Sequence, residues 1–194
     1  MKKLILLIVL ITNFCMFNVS YSEAGNTHTG QDAINAGTPT LGQLKYCLDE
    51  RPGQGFNSLC SLVPGHPSGK DINSGWIDCS GFSKWVYGQL GVNIGDNTGG
   101  QQTAIKNAGC KMSTDWKSIK AGDLIYWKKR HVAIATGNVI NGRIEVIQSS
   151  GGGAIGKGGT NKATVGTGSL QGYFSAECVI SHMPKWNSPP YTGT

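Results

Sequence analysis

An α+β fold is what this sequence predicts, and three observations predict it. Apolar residues recur at helical spacing between about 40 and 108, and apolar–polar alternation takes over after Gly122. Asn141-Gly142 then supplies a hairpin signal between two of the alternating runs. Helices first and antiparallel strands afterwards is the pattern of helices gathered against one sheet.

The elements follow in order. Lys2 and Lys3 precede the apolar run LILLIVLITNFCMF, and small residues follow at Ser20 and Ser22. That is the layout of a secretory signal peptide, 1–22, with cleavage expected after Ser22 and Ala24 as the alternative. The expected location is secreted or periplasmic. The run is short for a membrane span and no later segment comes close, so no stable membrane insertion is expected. Cys15 lacks the small residues that precede a lipid-modified cysteine. Residues 23–38 read as a polar leader, and 39–194 as one domain. Removing 1–22 takes two lysines and no acids, lowering the formal charge from +6 to +4. The longest basic run is Lys128-Lys129-Arg130. That excess suits an anionic polymer but is no nucleic-acid signature.

Thr40 as a cap, with Leu41, Leu44 and Leu48, predicts a helix over 40–50, and the Gly/Pro/Ser-rich stretch 51–75 predicts a long inserted loop. Asp78 is a cap and Phe82, Trp85, Val86 and Leu90 form one stripe, so a helix opens at Cys79 and stops at Gly91. A shorter helix is expected near 99–108, capped at Thr98. Strands are expected at 123–127, 131–136 and 143–149, a Gly-rich loop at 150–168, and a last strand within 172–180.

Five cysteines remain after export: Cys47, Cys60, Cys79, Cys110 and Cys178. Disulfides suit an oxidising compartment, and an odd count leaves a thiol over. The expected pairs are Cys47–Cys60, closing the inserted loop, and Cys110–Cys178, with Cys79 free. A thiol attacks as thiolate, and a helix N-terminus favours that charge. It also needs a base. His28 lies in the leader, His66 in a Gly/Pro loop and His182 beside Met183-Pro184, whereas His131 opens an apolar strand where the backbone can fix its ring.

Asp78-Cys-Ser-Gly-Phe82 opening a helix, then AGDLIYW, then HVAIATG, resembles the NlpC/P60 family of cell-wall cysteine peptidases over roughly residues 76–150. The segment GDNTGGQQTAIKNAG is similar to the family's stretch between nucleophile helix and strands. The resemblance implies a papain-like α+β fold, with Cys79 as nucleophile, His131 as base and a third polar residue on the next strand, where Gln148 stands. An amide carbonyl there can hold the imidazole, as in Cys-His-Asn proteases. Asp78 and Ser80 are candidates for contacting the substrate's free amine, with helix capping as their other role. Trp76 is a candidate cleft residue. An ideal hairpin from Asn141-Gly142 pairs Ala135 with Gln148, leaving Gln148 four residues from the level of His131, roughly 13 Å. A bulge or an earlier turn near Gly137-Asn138 has to close that gap. Glu145 and Asn138 are the fallbacks for the third role.

The implied substrate is the peptidoglycan stem peptide, cut between γ-linked D-glutamate and the following diamino acid. No metal or organic cofactor is implied. The family's Tyr-x-x-Gly element before the nucleophile is replaced here by LVPGHPSGKDINSGW, with no tyrosine. Two other readings use the same fold: a non-catalytic wall- or ligand-binding module, and an amidase or acyltransferase with the same thiol.

Overall fold

The computed structural model describes residues 27–46, 75–128, 131–151 and 158–186. The expected signal peptide, residues 51–74 of the expected loop and the expected Cys47–Cys60 bridge lie outside the described residues. Among the described residues, four α-helices pack around one mixed sheet: α1 (Gly30–Gly37), α2 (Cys79–Gln89), α3 (Thr98–Asn107) and α4 (Ala176–His182). The strands are β1 (Lys45–Tyr46), β2 (Trp76–Ile77), β3 (Ala121–Trp127), β4 (His131–Ile140), β5 (Arg143–Gly151), β6 (Gly158–Val165) and β7 (Leu170–Phe174). Their order across the sheet is β2-β1-β6-β5-β4-β3-β7, antiparallel except for the β1–β2 pair. The fold is α+β, as the alternation of periods predicts.

Helix α2 forms where it is expected. The Asp78 carboxylate accepts the Gly81 N–H at 2.6 Å, and Gly91, at φ 69°, ends the run. Its buried stripe of Phe82 and Val86 joins Val132 and Ile134 of β4 and Ile147 of β5 in the main core. Burying each such side chain stabilises the fold by about 1.5–3 kcal/mol. The other face of the sheet buries Ile125, Ala133, Ala135, Ile144 and Val146 against a second cluster holding Ile119 and Tyr173.

Several expectations are corrected. The stretch expected as a leader contributes α1, whose Ala33 and Ile34 are buried in the core; Asp32 receives the Thr29 N–H at 2.7 Å at its start. Gly30 lies against Gly122 and Ala121 so closely that a Cβ at Gly30 would sit 1.9 Å from the Ala121 carbonyl. The helix expected over 40–50 does not form across its described part. Thr38–Thr40 is a 3₁₀ turn, Gly42 takes φ 76°, and Lys45–Tyr46 is a strand. The edge of β6 claims this backbone instead: Gly42 donates to the Thr160 carbonyl and Thr160 to that of Leu44. Helix α3 is capped by Asn97, whose Oδ1 accepts from Gly100, and Thr98 is its first residue. The Gly-rich segment 150–168 is a loop only in part, since β5 runs to Gly151 and 158–165 form β6. The last strand stops at Phe174, because Asp123 takes the Ala176 N–H at 2.9 Å and the chain turns into α4.

The β4–β5 hairpin departs from the ideal ladder in the direction the site needs. Asn141 (φ 50°) and Gly142 (φ 72°) make the turn, and Ile140 pairs with Arg143. The register then shifts between Val139 and Ala135, and Ala135 pairs with Val146. Thr136, Gly137 and Asn138 thus oppose Glu145 alone, a bulge in which Gly137 takes φ 86°.

Candidate active site

Cys79 is the first residue of α2, 3% exposed, and among the described residues it is the cysteine outside any disulfide. Cys110 and Cys178 are joined in a disulfide, as expected. The turn carrying Cys79 is held from three directions. The Asp78 carboxylate caps it and accepts the Ser80 hydroxyl at 2.8 Å. Gln101 of α3, fully buried, donates to the Ser80 carbonyl at 2.9 Å and to that of Gly95 at 3.2 Å. Its Oε1 accepts the Tyr126 hydroxyl at 3.3 Å, which ties α3 and β3 to the same turn. Burial and the nearby Cys79 push the Tyr126 phenol far above its ordinary range, so it serves only as a neutral hydrogen-bonding group. On the far side, the Ser149 hydroxyl of β5 donates to the Ile77 carbonyl at 2.7 Å, two residues before Cys79.

His131 opens β4, a strand packed on α2. The bulge brings Gln148 opposite Ala133, two residues from the level of His131 and on the same face. Such diagonal neighbours lie about 7–8 Å apart at Cα, within reach of two long side chains. The contact is made: His131 Nε2 and Gln148 Oε1 are 2.8 Å apart. An amide oxygen only accepts, so Nε2 carries the proton and Nδ1 keeps its lone pair. The Trp127 ring stands edge-on to the imidazole at 4.9 Å between centroids, from the cross-strand position. Burial lowers the His131 pKa below its ordinary value, and the Gln148 bond and the negative charge of Asp78 partly oppose that.

Asp78 and Ser80 are almost completely buried, 3% and 4% exposed, and both take part in the helix cap. Trp76 is half-buried on β2, with the Lys45 ammonium 5.2 Å above its ring. Glu145 and Asn138 bind each other across the bulge at 2.9 Å. A cavity of about 400 Å³ lies elsewhere, between the starts of α1, β3 and α4, lined by His28, Lys120, Asp123 and Glu177. It includes none of Cys79, His131 and Gln148. Among the described residues, metal-ligand types converge at Cys110, Cys178 and His182, whose sulfurs are tied up in the disulfide.

Gln101, Trp127 and Ser149 were not singled out in the sequence. A signal existed for Gln101, a polar residue four positions from buried Ile105 on the inner stripe of α3. Trp127 and Ser149 depend on register and carry no local mark.

The site thus combines a buried cysteine outside any disulfide, opening a helix, with an imidazole–amide pair on adjoining strands of an α+β domain. Residues 67–161 match the NlpC/P60 family. Members of that family are typically cell-wall hydrolases. A stretch of 73 residues is 42% identical to Protein P54 of Enterococcus faecium, covering 36% of this chain and 13% of that protein. Among solved structures, NlpC1 of Trichomonas vaginalis aligns with TM-score 0.46 and 18% identity, over 80% of this chain and 45% of its own. An NLP/P60-family protein of Staphylococcus aureus, similar to a lipoprotein, aligns with TM-score 0.44 and 17% identity, over 76% and 41%. The chain therefore spans less than half the length of each of these three proteins. No helix among the described residues is long and apolar enough to cross a membrane.

Proposed function

We propose that this chain is an exported cysteine peptidase that hydrolyses peptidoglycan stem peptides, between γ-linked D-glutamate and the following diamino acid. The observation that supports it most is the 2.8 Å bond between His131 Nε2 and Gln148 Oε1, made beside a helix that opens with a cysteine outside any disulfide. In this reading Nδ1 of His131 takes the Cys79 proton and the thiolate attacks the scissile carbonyl. The backbone N–H of Cys79 stabilises the oxyanion. The imidazolium then protonates the leaving amine, and water attacks the thioester with His131 as base. Asp78 and Ser80 stand next to the nucleophile as candidates for the substrate's amine, and Trp76 as a wall of the cleft.

The test is a digest of purified muropeptides by the wild type and by Cys79→Ala, read by mass spectrometry. Products with a new D-glutamate terminus, present in the wild type and absent from the variant, support the reading. Release of glycan from peptide instead points to an amidase. Binding without Cys79-dependent cleavage makes the protein a binding module.

A further inference from the structure

The amide of Gln148 is two-faced, and only one orientation leaves His131 with the lone pair on Nδ1. Turned over, its NH₂ would meet Nε2, which would then carry the lone pair itself, and the proton would move to Nδ1. Something must choose between the two, and the choice lies on β6.

Asn161 is the direct cross-strand partner of Gln148, and Gly159 that of Ser150. Gln148 Nε2 donates to Asn161 Oδ1 at 3.2 Å. Asn161 Nδ2 donates to the Gly159 carbonyl at 2.8 Å and to the Ser150 hydroxyl oxygen at 2.9 Å. A backbone carbonyl oxygen cannot donate, so the Gly159 end of the chain has a fixed polarity. Nδ2 must face it, Oδ1 must face Gln148, Nε2 of Gln148 must face Asn161, and Oε1 must face His131. A flip of either amide places two oxygens against each other. Gly159 is itself held in place: it takes φ 145°, and a Cβ there would lie 2.0 Å from the Leu44 carbonyl. The next residue, Thr160, is bonded to Leu44 in both directions, backbone to backbone and from Leu44 N–H to its hydroxyl.

We propose that Asn161 is a positioning residue which, anchored on the Gly159 carbonyl, orients the Gln148 amide and so selects the Nε2–H tautomer of His131. The proposal rests on the reading of Cys79, His131 and Gln148 as a catalytic triad, and it deepens that reading by adding a fourth member that acts through Gln148. Without Asn161 the Gln148 amide has no reason to prefer one face, and part of the enzyme holds its imidazole with the proton on the nitrogen that should receive one.

The decisive measurement is the ¹⁵N spectrum of the His131 ring, recorded in a Cys79→Ala background at pH 8 so that no thiol protonates it. The parent should show a pyrrole-type Nε2 and a pyridine-type Nδ1. Adding Asn161→Ala should bring in the opposite tautomer. Asn161→Leu, close in size but with no polar group to face Gln148 or the Gly159 carbonyl, should do the same. With Cys79 restored, Asn161→Ala should lower kcat about tenfold with little change in KM, the size of one lost hydrogen bond to a polarised group. Retention of the pure Nε2–H form in either variant overturns the proposal, and the second variant decides the matter if the first does not fold. The spectra need no turnover, so a chain that cleaves no muropeptide refutes the proposed function and still tests this inference.

Discussion

Replacing Gln148 with alanine removes the acceptor that holds the imidazole. His131 Nε2 loses a 2.8 Å bond at a site where Gln148 is only 8% exposed. Leaving such a donor unsatisfied costs about 1–3 kcal/mol. At 1.4 kcal/mol per factor of ten, this corresponds to a loss of about 5- to 150-fold in kcat/KM if the bond is kept through the transition state. Two effects reinforce each other. The preference for Nε2–H disappears, and the Gln148 bond, which raises the His131 pKa against the opposing effect of burial, is gone. The imidazolium is then less stable, so the thiolate–imidazolium pair is populated less. Iodoacetamide alkylation of Cys79 at mildly acidic pH should slow alongside turnover. Gln148→Asn retracts the oxygen by one methylene, about 1.5 Å, and should keep only part of the activity; Gln148→His, which carries a ring acceptor, should also keep part. Muropeptide hydrolysis and alkylation are followed together, with urea unfolding as the control for stability. A Gln148→Ala protein with wild-type kcat/KM and an unchanged alkylation rate refutes the reasoning and reduces the site to a dyad.

Three further outcomes are expected. Cys110→Ser with Cys178→Ser opens a loop of 68 residues and should destabilise the fold by about 4 kcal/mol on the chain-entropy account; an unchanged urea midpoint refutes it. Ser149→Ala leaves the buried Ile77 carbonyl without its 2.7 Å donor and should cost about 1–3 kcal/mol, read from the same unfolding curves. The folded pKa of His131 lies below its ordinary 6.5, so the unfolded chain binds more protons between the two values. Its contribution to stability is therefore full above pH 6.5, falls as pH drops through the folded pKa, and is level below it. His131→Gln should flatten that part of the stability–pH curve, and identical curves for both proteins refute the assignment.

Local chemistry was legible and long-range register was not. The start of α2 was readable because Asp78 is a cap next to an apolar stripe, and the hairpin because Asn141-Gly142 suits a turn with both residues at positive φ. The Cys110–Cys178 bridge was the pair left over once Cys79 was kept out and Cys47 and Cys60 were taken to close the inserted loop. The helix expected over 40–50 failed because Leu41 and Leu44 at helical spacing say nothing about β6, whose Thr160 takes the backbone of Thr40, Gly42 and Leu44 through four hydrogen bonds. The Gly-rich segment misled in the same way. Gly159 is a glycine because the Leu44 carbonyl fills the space of its Cβ, not because the chain is a loop there. Asn161 therefore sat in a stretch with no visible reason to carry an important side chain.

The same limit explains why Gln148, Glu145 and Asn138 all remained open for the third role. An ideal ladder from Asn141-Gly142 sets Gln148 opposite Ala135, too far from His131 for any rotamer. A shift of one residue would turn Gln148 to the other face of the sheet, so only an even shift can help. The structure makes a shift of two, about 6.6 Å at strand rise, by setting Thr136, Gly137 and Asn138 against Glu145. The Glu145 carboxylate closes that bulge, accepting the Thr136 hydroxyl at 2.7 Å and the Asn138 amide at 2.9 Å, with the Lys162 ammonium 3.8 Å away. These bonds hold its pKa below the ordinary range, so it stays ionised under mildly acidic conditions. The two fallback residues are thus engaged with each other, and their engagement holds the register in which Gln148 reaches His131.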